Sequence, residues 1–271
     1  MYINVLNTRY PIIRESAKGL GFKVTYNEDK DWDIIWYDSG VTPEKLTKLH
    51  DYQRINHFPG MYILARKNYL AINLQKMQKA FDKEYKIFPP TWLLPTDWNS
   101  FIDQFNKKRA KTFIVKPEAS CQGRGIFLTR NYKNLDRNEH YVVQRYLHKP
   151  YIIDDLKFDL RIYVLLSGVN PLRAYIYKEG MARFATETYY SPTGSNIKNM
   201  YMHLTNYAIN KNHEDYQDGD DSNQGHKRYM SYIFEYIEEM EGEHNLWENI
   251  KDIINKALIT VQPSLSHAYR T

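Results

Sequence analysis

A loop with two glycines and a nearby lysine has the composition of a phosphate-binding site. Gly123 and Gly125 lie between two short apolar runs, and Lys116 ends the first of them. Glycine lets backbone N–H groups approach an anion closely, and lysine supplies positive charge. The pattern is neither GxxxxGK[ST] nor GxGxxG. Because Gly-x-Gly is equally typical of a plain hairpin turn, the loop needs a second observation.

The second observation is a row of charged residues in an apolar strand. Lys157, Asp159 and Arg161 share one face of the run 157–166 if its side chains alternate. The alternative is the solvated face of an edge strand, but the apolar continuation to Leu166 favours one central strand. Buried charges cost several kcal/mol each unless they are paired or bind a ligand. We therefore predict a site that holds a triphosphate between two sheets and stabilises phosphoryl transfer.

Three other residues allow two interpretations each. Lys67 is either a second phosphate-binding cation or a solvated charge ahead of a helix. His203 shares a face with Thr205 if the chain is extended there, although a single histidine is ordinarily structural. Cys121 has no histidine close in sequence and is predicted to be a packed or bystander thiol.

Composition excludes several classes of protein. The 271 residues are 42% hydrophobic, so a substantial core is expected, and the net charge of +5 is spread too widely to predict nucleic-acid binding. A single cysteine excludes an intramolecular disulfide framework and fits a reducing compartment. The basic run 107–111 is predicted to be a solvated helix end. We expect neither a membrane span nor export, because no long apolar stretch or signal-peptide pattern is present.

The order of elements predicts three parts. Residues 1–62 alternate short strands with one helix and predict a small α/β domain. Residues 63–147 predict a helix capped by Asn68, the glycine hairpin and a strand over 141–147. Residues 148–271 predict an antiparallel meander and two closing helices, the last ended by Pro263.

Several motifs together resemble the tubulin tyrosine ligase-like family, and within it the tubulin polyglutamylases. They occur in the family's order and cover nearly the whole chain. The motifs are 55–60 (INHFPG), 116–117 (KP), 121–126 (CQGRGI), 157–161 (KFDLR), 183–186 (RFAT) and 203–206 (HLTN). The resemblance implies an α+β chain with an ATP-grasp fold, in which two α+β subdomains clamp ATP behind a small α/β N-terminal domain. It makes 63–147 the central subdomain and 148–271 an incomplete C-terminal one.

The resemblance also implies roles for individual residues. Residues 144–147 are implied to form the hinge that receives adenine through backbone groups. The implied ATP-binding residues are Lys67, Lys116, Gln122, Gly123, Arg124, Gly125, Gln144, Arg145, Tyr146, Leu147, Lys157 and Asp159. The implied catalytic residues are Lys157, Asp159, Arg161 and Arg183. The implied substrate-binding residues are Arg161, Arg183, His203, Thr205 and Asn206.

The implied reaction is an ATP-dependent ligation. A carboxylate on an acidic tubulin tail is phosphorylated to an acyl phosphate, which the amine of free glutamate attacks. Mg²⁺ is implied with ATP, but its main ligands are expected beyond Thr271, so no metal ligand is predicted in this chain and the chain is expected to be a fragment. The implied protein is a monomer of the cytoplasm, at the cytoskeleton, cilium or basal body.

Two alternatives to glutamate ligation stay open at this point. A glycine ligase of the same family is disfavoured by the form of the 157–163 and 183–186 segments. A catalytically inactive module that binds tubulin or nucleotide is supported by the missing magnesium-binding segment.

Overall fold

The protein consists of two compact units with separate sheets. The computed structural model describes residues 1–27, 29–106, 111–118, 120, 122–219 and 223–269. One unit is Met1–Ile63 with the described residues from Val261 onward, and the other is Leu64–Thr260. The domain boundaries predicted after residues 62 and 147 stay predictions. Cys121 and all but the last residue of the basic run 107–111 lie outside the described residues.

The first unit contains a four-stranded parallel sheet. Its elements are β1 (Tyr2–Asn7), α1 (Pro11–Gly19), β2 (Lys23–Thr25), β3 (Ile34–Tyr37), α2 (Pro43–Leu46) and β4 (Arg54–Ile55). The strand order is β2-β1-β3-β4, and Ile3, Val5 and Ala17 are buried between the sheet and α1. The predicted alternation of short strands with a helix is confirmed, although the unit contains both α1 and α2 instead of one helix. The helix α1 was not predicted, although Pro11 at its first position is a common start signal.

The second unit begins with two helices and a four-stranded antiparallel sheet. Its elements follow α3 (Tyr62–Ala65) in the order α4 (Lys67–Ala80), β5 (Thr91–Leu94), α5 (Trp98–Ile102), β6 (Phe113–Pro117), β7 (Phe127–Thr129) and β8 (Tyr141–Arg145). The strand order is β5-β8-β6-β7. β6 and β7 pair antiparallel, with Phe113 opposite Thr129, so the predicted strand, glycine loop and strand are confirmed.

One face of this sheet packs against α5. Phe113 and Val115 of β6, Val143 of β8 and Phe101 of α5 are completely buried. Because side chains alternate along a strand, Lys116 lies on the opposite face of β6. Packing against α5 therefore fixes which face of the sheet is left for chemistry.

A second antiparallel sheet follows in the same unit. Its region contains β9 (Ile152–Ile153), β10 (Leu156–Arg161), β11 (Val164–Val169), β12 (Leu172–Ile176), β13 (Met181–Phe184), α6 (Met200–His203), α7 (Tyr207–Asn210), β14 (Lys227–Tyr229) and α8 (Met230–Glu241), before α9 (Leu246–Tyr269). The strand order is β14-β13-β10-β9. Ile153, Ala182 and Phe184 are buried against Ile233 of α8. No described helix is both long and apolar enough to cross a membrane.

The prediction of one central strand over 157–166 is wrong. β10 ends at Arg161, and β11 pairs only with β12 in a separate two-stranded sheet. The first turn of the predicted meander is confirmed by the antiparallel β11–β12 hairpin, but β13 pairs with β10 and not with β12, so the rest of the meander is wrong. Leu165 is 64% exposed. Apolar composition therefore did not indicate burial in this hairpin.

Three predicted element ends also differ from the structure. Arg66, not Asn68, precedes the first residue of α4, because the Asn68 amide donates to the Glu118 carboxylate instead of capping the helix. Pro263 lies inside α9 and does not end it, since a proline removes only one backbone donor. The strand predicted over 141–147 ends at Arg145.

Removing the Phe101 ring should destabilise the second unit. Phe101 is 0% exposed and packs against Phe113 with ring centroids 5.1 Å apart. We expect Phe101→Ala to lower the free energy of unfolding by about 3–5 kcal/mol, measured by denaturant titration. Phe81→Ala is the control, because Phe81 is 54% exposed and should change stability by less than about 1 kcal/mol. An equal loss of unfolding free energy in the two variants would contradict the placement of Phe101 in the core.

Candidate functional site

Three lysines from different elements form a cluster in which Lys116 interacts electrostatically with both Lys67 and Lys157. Lys67 begins α4, Lys116 lies near the end of β6 and Lys157 lies on β10. Burial lowers the pKa of Lys116, and the charge of Lys67 lowers it further. Burial also lowers the pKa of Lys157 to about 8; Asp159 opposes that change, and Lys116 adds to it. A gathering of partly buried cations suits a ligand with several negative charges.

Lys116 is held by a chain of hydrogen bonds across the antiparallel sheet β5-β8-β6-β7. Its Nζ donates to Gln144 Oε1 at 2.5 Å, and Gln144 Nε2 donates to Thr91 Oγ1 at 3.0 Å. The Thr91 hydroxyl donates in turn to the Pro89 carbonyl at 2.8 Å. This order fixes the Gln144 amide with its oxygen toward the lysine. Lys116 therefore has a neutral acceptor, and its charge is not cancelled.

Lys157 is held by two neutral oxygens. Its Nζ donates to the Tyr146 hydroxyl at 3.0 Å and to the His203 carbonyl at 2.8 Å. Because an ammonium has three donors, a third N–H is available to a ligand. His203 is 1% exposed, and its Nε2 lies 3.2 Å from the Asn196 carbonyl. The histidine is therefore enclosed by protein.

Lys67 lies beside the glycine loop. Its Nζ donates to the Pro117 carbonyl at 3.3 Å and also to the Ser120 carbonyl. These bonds join the start of α4 to the first arm of the loop. The lysine is therefore part of the same cluster and is not a remote solvated charge.

The loop itself requires glycine at Gly123. The residue has φ +85°, and a Cβ there would lie 2.8 Å from Ile209 Cδ1 and 3.0 Å from Asn206 Cγ. Gly125 also has a positive φ of +67°. The close approach of Gly123 lets the loop lie directly on the segment that begins α7.

Asp159 and Arg183 form a two-pronged ion pair. They lie opposite each other on β10 and β13, with Arg183 Nε 2.9 Å from Oδ1 and a second guanidinium nitrogen 2.5 Å from Oδ2. The hydrogen bonds that Arg183 donates to Asp159 raise the pKa of Arg183. Arg161 is exposed at the end of the same strand. The row of charges predicted from alternation is present, and its carboxylate is matched by the neighbouring strand.

The implied adenine hinge is partly occupied by the protein's own hydrogen bonds. The N–H of Arg145 donates to the Pro90 carbonyl at 2.9 Å, and the N–H of Tyr146 donates to the Thr112 carbonyl at 3.0 Å. Leu147 is 64% exposed. A base at this hinge would therefore have to use other groups.

The remaining implied residues lie at different depths. The Arg145 guanidinium lies over the Phe113 ring, 5.5 Å from its centroid, on the core face of the sheet, and burial lowers its pKa. Gln122 and Arg124 are exposed in the loop, whereas Thr205 and Asn206 are half-buried. The structure thus brings the loop, the lysines and the paired charges together, but directs the Arg145 side chain elsewhere.

Sequence reasoning missed two supporting residues. Thr91 orients Gln144 through its hydroxyl, and Asn196 contacts His203 through its backbone carbonyl. A backbone carbonyl carries no compositional signal, and a threonine in a strand is ordinary. Only the fold reveals these roles.

The residues present fit a polyphosphate better than a metal ion. The lysine cluster has neutral acceptors and can neutralise several phosphate charges. Among the described ranges, no group of three or more His, Cys, Asp or Glu side chains could hold a metal. Asp159 is already engaged by Arg183. Within those ranges magnesium therefore has no complete ligand set.

Comparison with known proteins agrees with the family resemblance of the sequence motifs. The model of the Tubulin-tyrosine ligase family matches residues 45–271. The chain is 51% identical to a probable beta-tubulin polyglutamylase of Tetrahymena thermophila, covering 100% of the chain and 23% of that protein. It is 44% identical to tubulin polyglutamylase ttll6 of Danio rerio, covering 100% and 35%, and 43% identical to tubulin polyglutamylase TTLL13 of Homo sapiens, covering 99% and 33%. The chain spans about a quarter to a third of the length of these relatives.

The lowered pKa of Lys157 can be measured directly. We expect the ¹³C-methylated lysine to titrate near pH 8 by NMR, well below the usual range of lysine, because burial and Lys116 disfavour its charged form. It is then mostly charged at pH 7 and mostly neutral above pH 9. Lys157→Arg identifies the signal by removing it. A midpoint above about 10 would contradict the described environment.

Proposed function

Because the chain belongs to the tubulin-tyrosine ligase family, we propose that it forms the nucleotide-binding part of an ATP-dependent ligase that adds glutamate to acidic tubulin tails. The observation that carries this proposal is the cluster of Lys67, Lys116 and Lys157. Several relatives are named tubulin polyglutamylases, which favours glutamate over glycine. In this proposal the two antiparallel sheets are the two subdomains of an ATP-grasp fold, preceded by the small parallel sheet.

The lysines and the glycine loop bind the phosphates. Lys116 and Lys157 each present an ammonium whose other bonds go to neutral oxygens, so its positive charge is available to the nucleotide. The loop with Gly123 covers the phosphates, and Lys67 holds its first arm. ATP supplies the chemistry that turns a carboxylate oxygen into a leaving group.

The arginines bind the acidic reactants. Arg161 is exposed at the end of β10, where it can receive a carboxylate of the tubulin tail or of glutamate. Asp159 holds the guanidinium of Arg183 in one orientation, which leaves its remaining donors for a second carboxylate. Thr205 and Asn206 complete the amino-acid pocket. Holding both reactants in place lowers the entropic cost of their encounter.

The hinge at 144–147 receives adenine through groups other than the N–H of Arg145 and Tyr146. Magnesium is expected to accompany ATP in such a ligase. A place at the cytoskeleton follows from tubulin as substrate, and a cilium or basal body stays a prediction. An inactive module would bind ATP or tubulin without joining glutamate, so an activity assay separates it from the ligase.

Loss of a phosphate-site or substrate-site cation should abolish most activity. In an active form of the protein, we expect Lys116→Ala and Arg161→Ala each to reduce ATP-dependent incorporation of labelled glutamate into tubulin by at least about a hundredfold, because each removes a charge that stabilises the transition state. Lys83→Ala and Arg173→Ala are matched controls at exposed positions.

Two results would count against these assignments. If Lys116→Ala and Arg161→Ala incorporated labelled glutamate at near-normal rates, neither residue would belong to the proposed site. Preferential incorporation of labelled glycine would show that the amino acid is wrong while leaving the ATP site intact.

The glycine loop offers a separate test of nucleotide binding. We expect Gly123→Ala to weaken ATP binding about tenfold, measured by calorimetry, because φ +85° strains any residue with a Cβ and that Cβ would contact Ile209. Gly194→Ala is the control, since nothing lies within 4 Å of the Cβ position there. Equal ATP affinities of the two variants would show that the loop does not cover the nucleotide.

A further inference from the structure

The Tyr146 side chain occupies a central position that the implied hinge role does not explain. Tyr146 follows β8 and is 4% exposed. Its hydroxyl lies 3.0 Å from Lys157 Nζ, 3.3 Å from the His203 carbonyl and 3.4 Å from His203 Nδ1. The hydroxyl is therefore the junction between β8, β10 and α6.

The donors and acceptors at this junction can be assigned. An ammonium only donates, so the Tyr146 oxygen accepts from Lys157. Its own hydrogen has acceptors in His203 and in the Tyr189 hydroxyl, whose hydrogen goes to the His148 carbonyl. Burial raises the pKa of Tyr146, which keeps this hydrogen in place. His203 Nε2 faces the Asn196 carbonyl and must donate to it, so Nδ1 of the neutral ring is an acceptor.

The histidine has little opportunity to change its charge. Burial lowers the pKa of His203, and the positive charge of Lys157 lowers it further, while the bond to Asn196 opposes them. The neutral ring thus keeps its donor toward Asn196 and its acceptor toward Tyr146. With 1% exposure, His203 has no surface with which to contact an amino-acid substrate.

We infer that Tyr146 is a positioning residue which, together with His203, fixes the Lys157 ammonium so that its remaining N–H points toward the nucleotide phosphates. The identity of that ligand rests on the proposed function, whereas the positioning does not. His203 then acts through Lys157 and not by touching the substrate. The other charged groups that face Lys157 are Asp159 on its own strand and Lys116 on β6.

The Tyr146 ring and the Tyr146 hydroxyl contact the Lys157 ammonium separately, and a substitution can remove one contact without the other. Lys157 Nζ lies 4.5 Å from the centre of the ring, and a phenylalanine would preserve that contact. Tyr146→Phe therefore removes the acceptor of the lysine together with the hydroxyl contacts to His203 and Tyr189. It leaves the backbone of the hinge, where Tyr146 N–H donates to the Thr112 carbonyl, unchanged.

The first experiment compares two ligands that differ in phosphate. We expect Tyr146→Phe to weaken ATP binding about three- to tenfold, the scale of one hydrogen bond to a charged group, and to change adenosine binding less than about twofold. Tyr190→Phe is the matched control, because Tyr190 is 62% exposed. Unchanged ATP affinity, or an equal loss of adenosine affinity, would overturn the positioning role.

The second experiment needs no nucleotide. Losing the Tyr146 oxygen destabilises the charged lysine, so we expect the NMR midpoint of Lys157 to fall about one pH unit below its wild-type value. If the protein failed to bind ATP while this midpoint fell, the proposed function would fail and the positioning role would stand. An unchanged midpoint would overturn the positioning role.

A second variant protects the test against misfolding. His203→Asn keeps an acceptor near the position of Nδ1 but removes the donor to Asn196, so the His203 carbonyl is less firmly held. We expect it to weaken ATP binding in the same direction as Tyr146→Phe and to leave adenosine binding unchanged. Wild-type ATP affinity in the folded His203→Asn protein would contradict the role of His203.

Discussion

Mutual repulsion among partly buried lysines is the constraint on which this site depends. The charge of Lys67 lowers the pKa of Lys116, and the charge of Lys116 lowers the pKa of Lys157. Burial also disfavours the charged forms of Lys116 and Lys157. Carboxylates could relieve that repulsion, but they would also cancel the charge. The protein instead surrounds the ammonium groups with neutral oxygens, as from Gln144 and Tyr146. The positive charge therefore stays available to a ligand, and a bound anion would relieve the repulsion among the ammonium groups.

β8 and the residue that follows it support two of the three lysines. Gln144 and Tyr146 are two positions apart, so an extended backbone directs both side chains to the same face. One contacts Lys116 on the neighbouring strand, and the other contacts Lys157 on the second sheet. The intervening Arg145 points to the opposite face, over Phe113. This short segment thereby sets the positions of charges carried by two sheets.

The one carboxylate in the row of charges is handled differently. Asp159 is matched to Arg183 by strand register, and the two-pronged geometry holds the guanidinium in one orientation. The predicted alternation was right about the shared face, but its apolar continuation past Arg161 belongs to a separate hairpin. Pairing of β10 with β13 decided that outcome, and pairing partners are not encoded in local composition.

The sequence alone determined two local features of the candidate site. Its motifs identified the glycine hairpin and the charged strand face, because backbone conformation and side-chain alternation are local properties. Tertiary structure alone decided that Lys67 joins the cluster, that His203 is enclosed, and that Tyr146 meets Lys157. Those contacts connect residues separated by between 7 and 53 positions. They depend on which strands pair and which faces pack, and no local pattern specifies either.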